Sequence, residues 1–281
     1  LSAHTDVVPV NGQTWTSDPF TLTERDGRLY GRGTCDMKGF IALMLGMVPE
    51  FLEKPLQRPL EIVLTYDEET TMEGVAHALH EMGRAWQKPA AVIVGEPTMM
   101  EVVDAHLSIA GLRLTFNGRA AHSSLPQLGA NAILAAQELM GELVRIQQRF
   151  EDTGDPTGRF TPPYSTLNIG RIEGGTAHNI VAEKCMVELS LRGVPGCDIE
   201  QVVDRIIQYA EGPVLAKMRE TAPESAVEVR RWLAAPALAP QPGSEAEKLA
   251  MRLAGTNRTT TVSYATEAGS FQRAGLPTVV C

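Results

Sequence analysis

The sequence predicts an α/β domain interrupted by an inserted α+β domain of ferredoxin-like type. Three observations carry this. Short apolar strand-like runs alternate with helical spacing through the first hundred residues. From about Leu107 the order becomes β-α-β-β-α-β. A proline-rich stretch, Pro236 to Pro242, then precedes a further helix and strand. The expected division is residues 1–106 with 237–281 for the interrupted domain, and 107–236 for the insertion.

In order, Leu29-Tyr30-Gly31-Arg32-Gly33 reads as a short strand entering a glycine turn. Gly39 to Leu52 places Phe40, Leu43, Met44, Met47 and Phe51 at helical spacing. Leu60 to Tyr66 is a compact run suited to a buried strand. Thr71 to Ala85 reads as a helix and Ala90 to Val94 as a strand. In the insertion, strands are expected over Gly111–Asn117, Ser165–Ile172, Glu183–Arg192 and Ala226–Leu233. One helix is expected over Asn131–Phe150, and a second long one over Ile199–Arg219. Pro236 to Pro242 reads as a linker, followed by a helix from Ser244 to Ala254.

The composition narrows the function classes. Of 281 residues, 43% are hydrophobic and 21% charged, enough for real cores under an ordinary polar surface. The net charge of -9 and the lack of a basic patch argue against a nucleic-acid partner. No apolar run approaches the length of a membrane span. Cys35, Cys185, Cys197 and Cys281 are scattered with no CxxC pair. That disfavours a disulfide framework or a zinc–cysteine site and fits a reducing cytoplasm. The chain starts at Leu1 without an initiator Met and stops at Cys281 within a strand-like run. Truncation at both ends is the expectation.

Four segments carry the chemistry, each at the C-terminal end of a strand-like run, where open α/β sheets place ligands. In His4-Thr5-Asp6, residues two apart face the same side of a strand, so His4 can bind a metal while Asp6 fixes its tautomer. In Gly33-Thr34-Cys35-Asp36-Met37-Lys38-Gly39, a carboxylate sits between glycines ahead of a helix. Cys35 reads as a small buried bystander. Asp67-Glu68-Glu69 crowds three acids that repel unless a cation neutralises them. Gly95-Glu96-Pro97-Thr98 ends the last run. Alone, each is also an ordinary capped loop, helix N-terminus or turn. Together, imidazole and hard carboxylates suit zinc, cobalt or manganese, and two ions sharing a carboxylate make a hydrolytic site. His77 and His80 read as solvated, and His106 is given no role.

These four segments, in this order, resemble the metal-site motifs of the M20 metallopeptidases, and the resemblance covers essentially the whole chain. Trp15-Thr16-Ser17-Asp18-Pro19-Phe20 and Ala265-Thr266-Glu267-Ala268-Gly269 resemble the acetylornithine deacetylase branch. The resemblance implies a zinc-peptidase-like catalytic domain with an inserted lid and dimerisation domain. It also implies two divalent ions, zinc or cobalt. His4 and Glu96 would ligate one ion and Glu69 the other, with Asp36 bridging. Asp6 would orient His4, and Glu68 would be the general base. A cis Asp36–Met37 peptide is expected.

In the insertion, Arg119-Ala120-Ala121-His122-Ser123-Ser124 resembles the segment whose His reaches the partner subunit's site in a homodimer and polarises the scissile carbonyl. Asn179 and Arg192 match positions that bind a substrate carboxylate. A surface salt bridge is an equal reading for Arg192. The family pattern also has N-terminal elements before Leu1 and one further His ligand beyond Cys281. The full-length protein is therefore expected to be active, and this stretch alone to be inactive or to bind one metal.

The implied substrate is a small N-acyl amino acid, foremost N2-acetyl-L-ornithine in arginine biosynthesis. Succinyl-diaminopimelate desuccinylase, or another N-acyl-amino-acid amidohydrolase or carboxypeptidase, is the near alternative. A non-catalytic dimeric scaffold is the rival of another class, and the presence of both Glu68 and Glu69 argues against it. No GxxxxGK[ST] supports a nucleotide-binding reading.

Overall fold

The structure, a computed structural model, describes residues 1–53 and 56–281. In chain order the regular elements are β1 (Ser2–His4), β2 (Thr23–Arg25), β3 (Arg28–Tyr30), α1 (Gly39–Glu53), β4 (Val63–Thr65), α2 (Gly74–Glu81), β5 (Val92–Val94) and β6 (Val103–His106). Then come β7 (Ser108–Asn117), α3 (Ala132–Thr153), β8 (Thr166–Gly174), β9 (Lys184–Gly193), α4 (Ile199–Tyr209), α5 (Leu215–Thr221) and β10 (Ala226–Ala235). The chain closes with α6 (Glu245–Ala254), β11 (Thr260–Val262), α7 (Ala268–Arg273) and β12 (Thr278–Val280). It divides into two compact units, Leu1–His106 with Ala237–Cys281, and Leu107–Pro236.

The first unit is built on a six-stranded sheet of order β11-β6-β12-β5-β1-β4. Its pairs are parallel except β12 with β6. Val92, Val94, Val103 and Val280 pack against Phe271 and Leu276. The parallel register places His4 opposite Thr65 and Ser2 opposite Val94. The chain therefore leaves β1, β4 and β5 along one edge of the sheet, the expected ligand edge.

The second unit has strand order β10-β7-β9-β8, all antiparallel, the ferredoxin-like arrangement. Along β9, Cys185, Val187, Leu189 and Leu191 alternate inward. They meet Ala136, Leu139, Leu143 and Ile146, which recur every three or four residues on α3. Burying a leucine such as Leu139 contributes about 1.5–3 kcal/mol relative to exposure. Asn131 starts α3 by accepting from the Ile133 and Leu134 N–H groups.

Several expectations change. The helix expected over Thr71–Ala85 spans only Gly74–Glu81. The Asp67 carboxylate gathers the Thr71 hydroxyl and the Glu73 and Gly74 N–H groups, holding residues 67–73 in a loop instead. The long helix expected over Ile199–Arg219 is present, running without a break from Ile199 to Thr221, but it widens into a π-type turn at Ala210–Val214. Pro213 sits in that turn, since it lacks an N–H and its ring clashes with the preceding turn. Pro236–Pro242 is not a loose linker: Leu238 is fully buried, and its backbone exchanges two hydrogen bonds with His106. Cys35 is exposed rather than buried. No helix among the described residues is long and apolar enough to cross a membrane.

Candidate metal centre

His4 ends β1, Glu68 and Glu69 follow β4, and Glu96 follows β5. Adjacent strand ends thus bring together residues that are far apart in sequence. Asp36 comes from the Thr34–Lys38 turn that leads into α1, and its peptide to Met37 is cis, as expected. Gly33 opens that turn at φ 83, and a Cβ there would lie 2.5 Å from Val7 Cγ1. Only glycine meets both demands. Lys38 donates to the Thr5 carbonyl, tying the turn to the β1 end.

His4 is 2% exposed. Its Nε2 lies 3.0 Å from Asp36 Oδ1, and its Nδ1 lies 3.2 Å from the Asp6 carbonyl and 3.4 Å from Asp6 Oδ1. Asp6 does a second job that its motif did not reveal. Its two carboxylate oxygens accept from the Glu68 N–H at 3.1 Å and the Glu69 N–H at 3.0 Å. One carboxylate thus holds both His4 and the backbone of the acidic pair. His4, Asp36 and Glu69 form one cluster whose ligand atoms lie within 4.8 Å of one another, and His4, Glu68 and Glu96 form another. Cys35 is in neither.

The electrostatics of the centre follow from crowding acids in a buried place. Burial pushes the Glu68 carboxyl up to about 8; His4 opposes the rise, while Glu69, Glu267 and Asp36 add to it. Burial, then Glu68 and Asp36, push Glu96 up to about 9. Glu69 is raised by burial and by Asp36. Burial works against a charged His4, yet Asp36, Glu68 and Glu96 together raise it to about 9. Buried and crowded, these carboxylates favour their protonated forms unless positive charge sits beside them. Divalent cations fit the centre: two overlapping sets of imidazole and carboxylate donors offer neutral nitrogen and hard oxygen, and a cation would replace those protons.

Glu267, Asp67 and His106, none of which the sequence assigns a role of its own, each have a defined place. Glu267, at the start of α7, is 1% exposed and accepts from Thr65 Oγ1 at 3.0 Å. Burial pushes it up to about 7, against the Thr65 hydrogen bond and His4. Asp67 is the loop clamp described above, not a ligand. His106 is fully buried, with Nε2 3.1 Å from Thr266 Oγ1.

His122, Asn179 and Arg192 belong to the second unit. His122 is exposed and pairs across a β-bridge with Ile180, while the Ser123 N–H donates to the Asn179 carbonyl. His122 and Asn179 are therefore neighbours. The Ser124 N–H points at His122 Nδ1 at 3.2 Å, with Ser124 Oγ at 2.7 Å. A backbone N–H can only donate, so Nδ1 accepts and the ring proton sits on Nε2. Arg192 is half-buried and pairs with no carboxylate among the described residues. The salt-bridge alternative is thus not realised.

Three solved structures share the fold over 99% of this chain. The aminopeptidase PepT of Bacillus cereus does so at TM-score 0.70 and 22% identity, over 70% of its own length. Yeast (Saccharomyces cerevisiae) di-peptidase Dug1p does so at 0.64 and 16%, over 71% of its length. Human carnosine dipeptidase 1 does so at 0.59 and 19%, over 72% of its length. The family model described as peptidase family M20/M25/M40 matches residues 1–281, and the chain belongs to that family of hydrolases.

Proposed function

We propose that the protein hydrolyses the amide of a small N-acyl amino acid, with N2-acetyl-L-ornithine giving acetate and ornithine as the foremost substrate. The observation that carries the amide chemistry is Glu68. It is a buried carboxyl with a raised affinity for protons, fixed through its own N–H by Asp6 and placed among metal-type donors. Such a group suits proton transfer near neutral pH. The choice of acetylornithine rests on the Trp15–Phe20 and Ala265–Gly269 segments.

In this reading His4 and Glu96 would hold one divalent ion and Glu69 the other, with Asp36 a ligand as well, the ions being zinc or cobalt. Bound ions supply Lewis acidity, polarising the carbonyl and acidifying water. Glu68 takes a proton from the attacking water and passes it to the leaving nitrogen, so that C–O forms as C–N breaks. Asp6 keeps His4 and the Glu68–Glu69 backbone in place. His122, with its proton on Nε2, donates to the developing oxyanion of the partner subunit's substrate, which requires a homodimer through the 107–236 unit. Arg192 and Asn179 receive the substrate carboxylate; the half-buried guanidinium of Arg192, with no carboxylate partner among the described residues, supports its share.

Short peptides are the second reading, supported by the peptidase and dipeptidase structures that share the fold. The test is a substrate panel on the full-length protein with zinc or cobalt: N2-acetyl-L-ornithine, an N-succinyl amino acid and a dipeptide. Metal-dependent acetate release that Glu68→Ala abolishes supports the proposal. Cleavage of the dipeptide alone moves the protein to the second reading, and no cleavage of any amide overturns both.

A further inference from the structure

Glu267 is a buried acid that neither the donor clusters nor the proposed mechanism employs. Its position directly before α7 suggests an ordinary helix-start acid. The side chain, however, makes no capping hydrogen bond. Its Oε2 instead accepts from Thr65 Oγ1, 202 residues away in sequence, and its Oε1 is buried without a partner among the described residues. A buried carboxyl with one oxygen unbonded is costly and needs a reason.

The reason lies in what Thr65 holds. Thr65 is the last residue of β4, directly before the loop that carries Glu68 and Glu69. Its carbonyl accepts from both the Thr5 N–H at 2.9 Å and the Thr5 hydroxyl at 2.7 Å. Its hydroxyl also lies 3.3 Å from the Ala3 carbonyl. Thr65 thus fastens the end of β4 to the β1 end on both sides of His4. The turn bearing Glu267 is anchored in turn: Thr266 Oγ1 meets His106 Nε2 and accepts from the Ala268 N–H at 3.1 Å.

We infer that Glu267 is a positioning residue for the metal centre, acting through the Thr65 hydroxyl to fix the two chain ends that carry His4 and the Glu68–Glu69 pair. At 1% exposure it does not meet substrate. The inference rests on the reading of the centre as a metal site but not on the identity of the substrate.

The test is calorimetric titration of the metal-free full-length protein and its variants with cobalt ion, with kcat and KM measured beside it. Outer partners of metal ligands change affinity by about 10- to 100-fold. Glu267→Ala and Thr65→Val are expected at the lower end, about tenfold weaker, with kcat falling and KM little changed. Glu267→Gln keeps an oxygen that accepts from Thr65, and Thr65→Ser keeps the donor. Both are expected within about threefold of the parent. This rescue is what a loss of general stability would not give, and the Thr65 pair decides the matter if Glu267→Ala does not fold. Parent-like cobalt affinity in Glu267→Ala or Thr65→Val overturns the inference. So does a Glu267→Gln loss as large as that of Glu267→Ala, which would make charge and not position the cause. A parent protein that binds no cobalt overturns the reading of the centre itself.

Discussion

Replacing Glu96 with Gln should stabilise the metal-free protein while removing its capacity to be stabilised by metal. The carboxyl of Glu96 rises from 4.5 to about 9 on folding, first through burial and then through Glu68 and Asp36. A raised carboxyl supports the fold fully below its unfolded pKa and loses that support as pH climbs through the folded value. At about 1.36 kcal/mol per unit, the loss by pH 8 has a ceiling of about 5 kcal/mol. Relaxation and the shared protonation with Glu68 reduce this to about 2–3 kcal/mol. Gln carries no charge and does not suffer the loss. In chelator at pH 8, Glu96→Gln should melt about 5–10 °C above the parent. At pH 5 the ceiling falls to about 0.7 kcal/mol and the two should nearly coincide. With cobalt at a hundred times its Kd, the parent should gain about 2.7 kcal/mol. The variant, missing a ligand, should gain far less. A metal-free variant that melts below the parent at pH 8 would refute the reasoning, because Glu96 would then be a satisfied group and not a suppressed charge.

Other outcomes follow from particular contacts. His122→Ala should lower kcat by about 10²–10³ with metal content unchanged, and Ser124→Ala should lower it less, by freeing the ring tautomer; steady-state kinetics with metal analysis checks both. Glu142 is 7% exposed and faces Arg145, Arg149 and Arg205. Burial opposes its charge, but the hydrogen bonds from Arg145 and Arg149 hold its carboxyl below the usual range. Because the arginines are half-exposed, Glu142→Gln should cost only about 1–2 kcal/mol at pH 7. That difference should vanish as the pH falls through the depressed pKa, as denaturant titrations at two pH values would show. Gly95→Ala would put a Cβ 2.5 Å from the Phe40 ring and 2.7 Å from Met37 Cε. It should destabilise by about 1–3 kcal/mol, read as a lowered melting temperature.

How much of this was legible in the sequence depended on whether the signal was local. Glu68, Glu69 and Glu96 follow compact apolar runs and Asp36 sits between glycines; singly these are weak signals, and only their succession, opened by His4, singles them out. The ferredoxin-like unit was legible because its strands alternate cleanly and its helices are long and amphipathic. The double hold of Asp6 on the Glu68 and Glu69 N–H groups was not, because it joins residues 62 and 63 positions apart. Glu267 lay in plain view in Ala265–Gly269, but an acid before a helix reads as a cap. Only its burial and its bond to Thr65 separate it from one. The β2–β3 hairpin was missed despite its local signal, an Asp26-Gly27 pair with positive φ at both residues, which is the favoured two-residue turn. The α2 boundary was misplaced because a side chain, Asp67, competed with the helix for backbone N–H groups.

The most direct measurement of the central claim is the metal content of the full-length protein and of Glu68→Ala, taken with their turnover of an N-acyl amino acid. If Glu68 is the base among ions held by His4, Asp36, Glu69 and Glu96, both proteins carry two zinc or cobalt ions per chain, and only the parent turns over. A parent without bound metal, or a Glu68→Ala variant that keeps its activity, would contradict it.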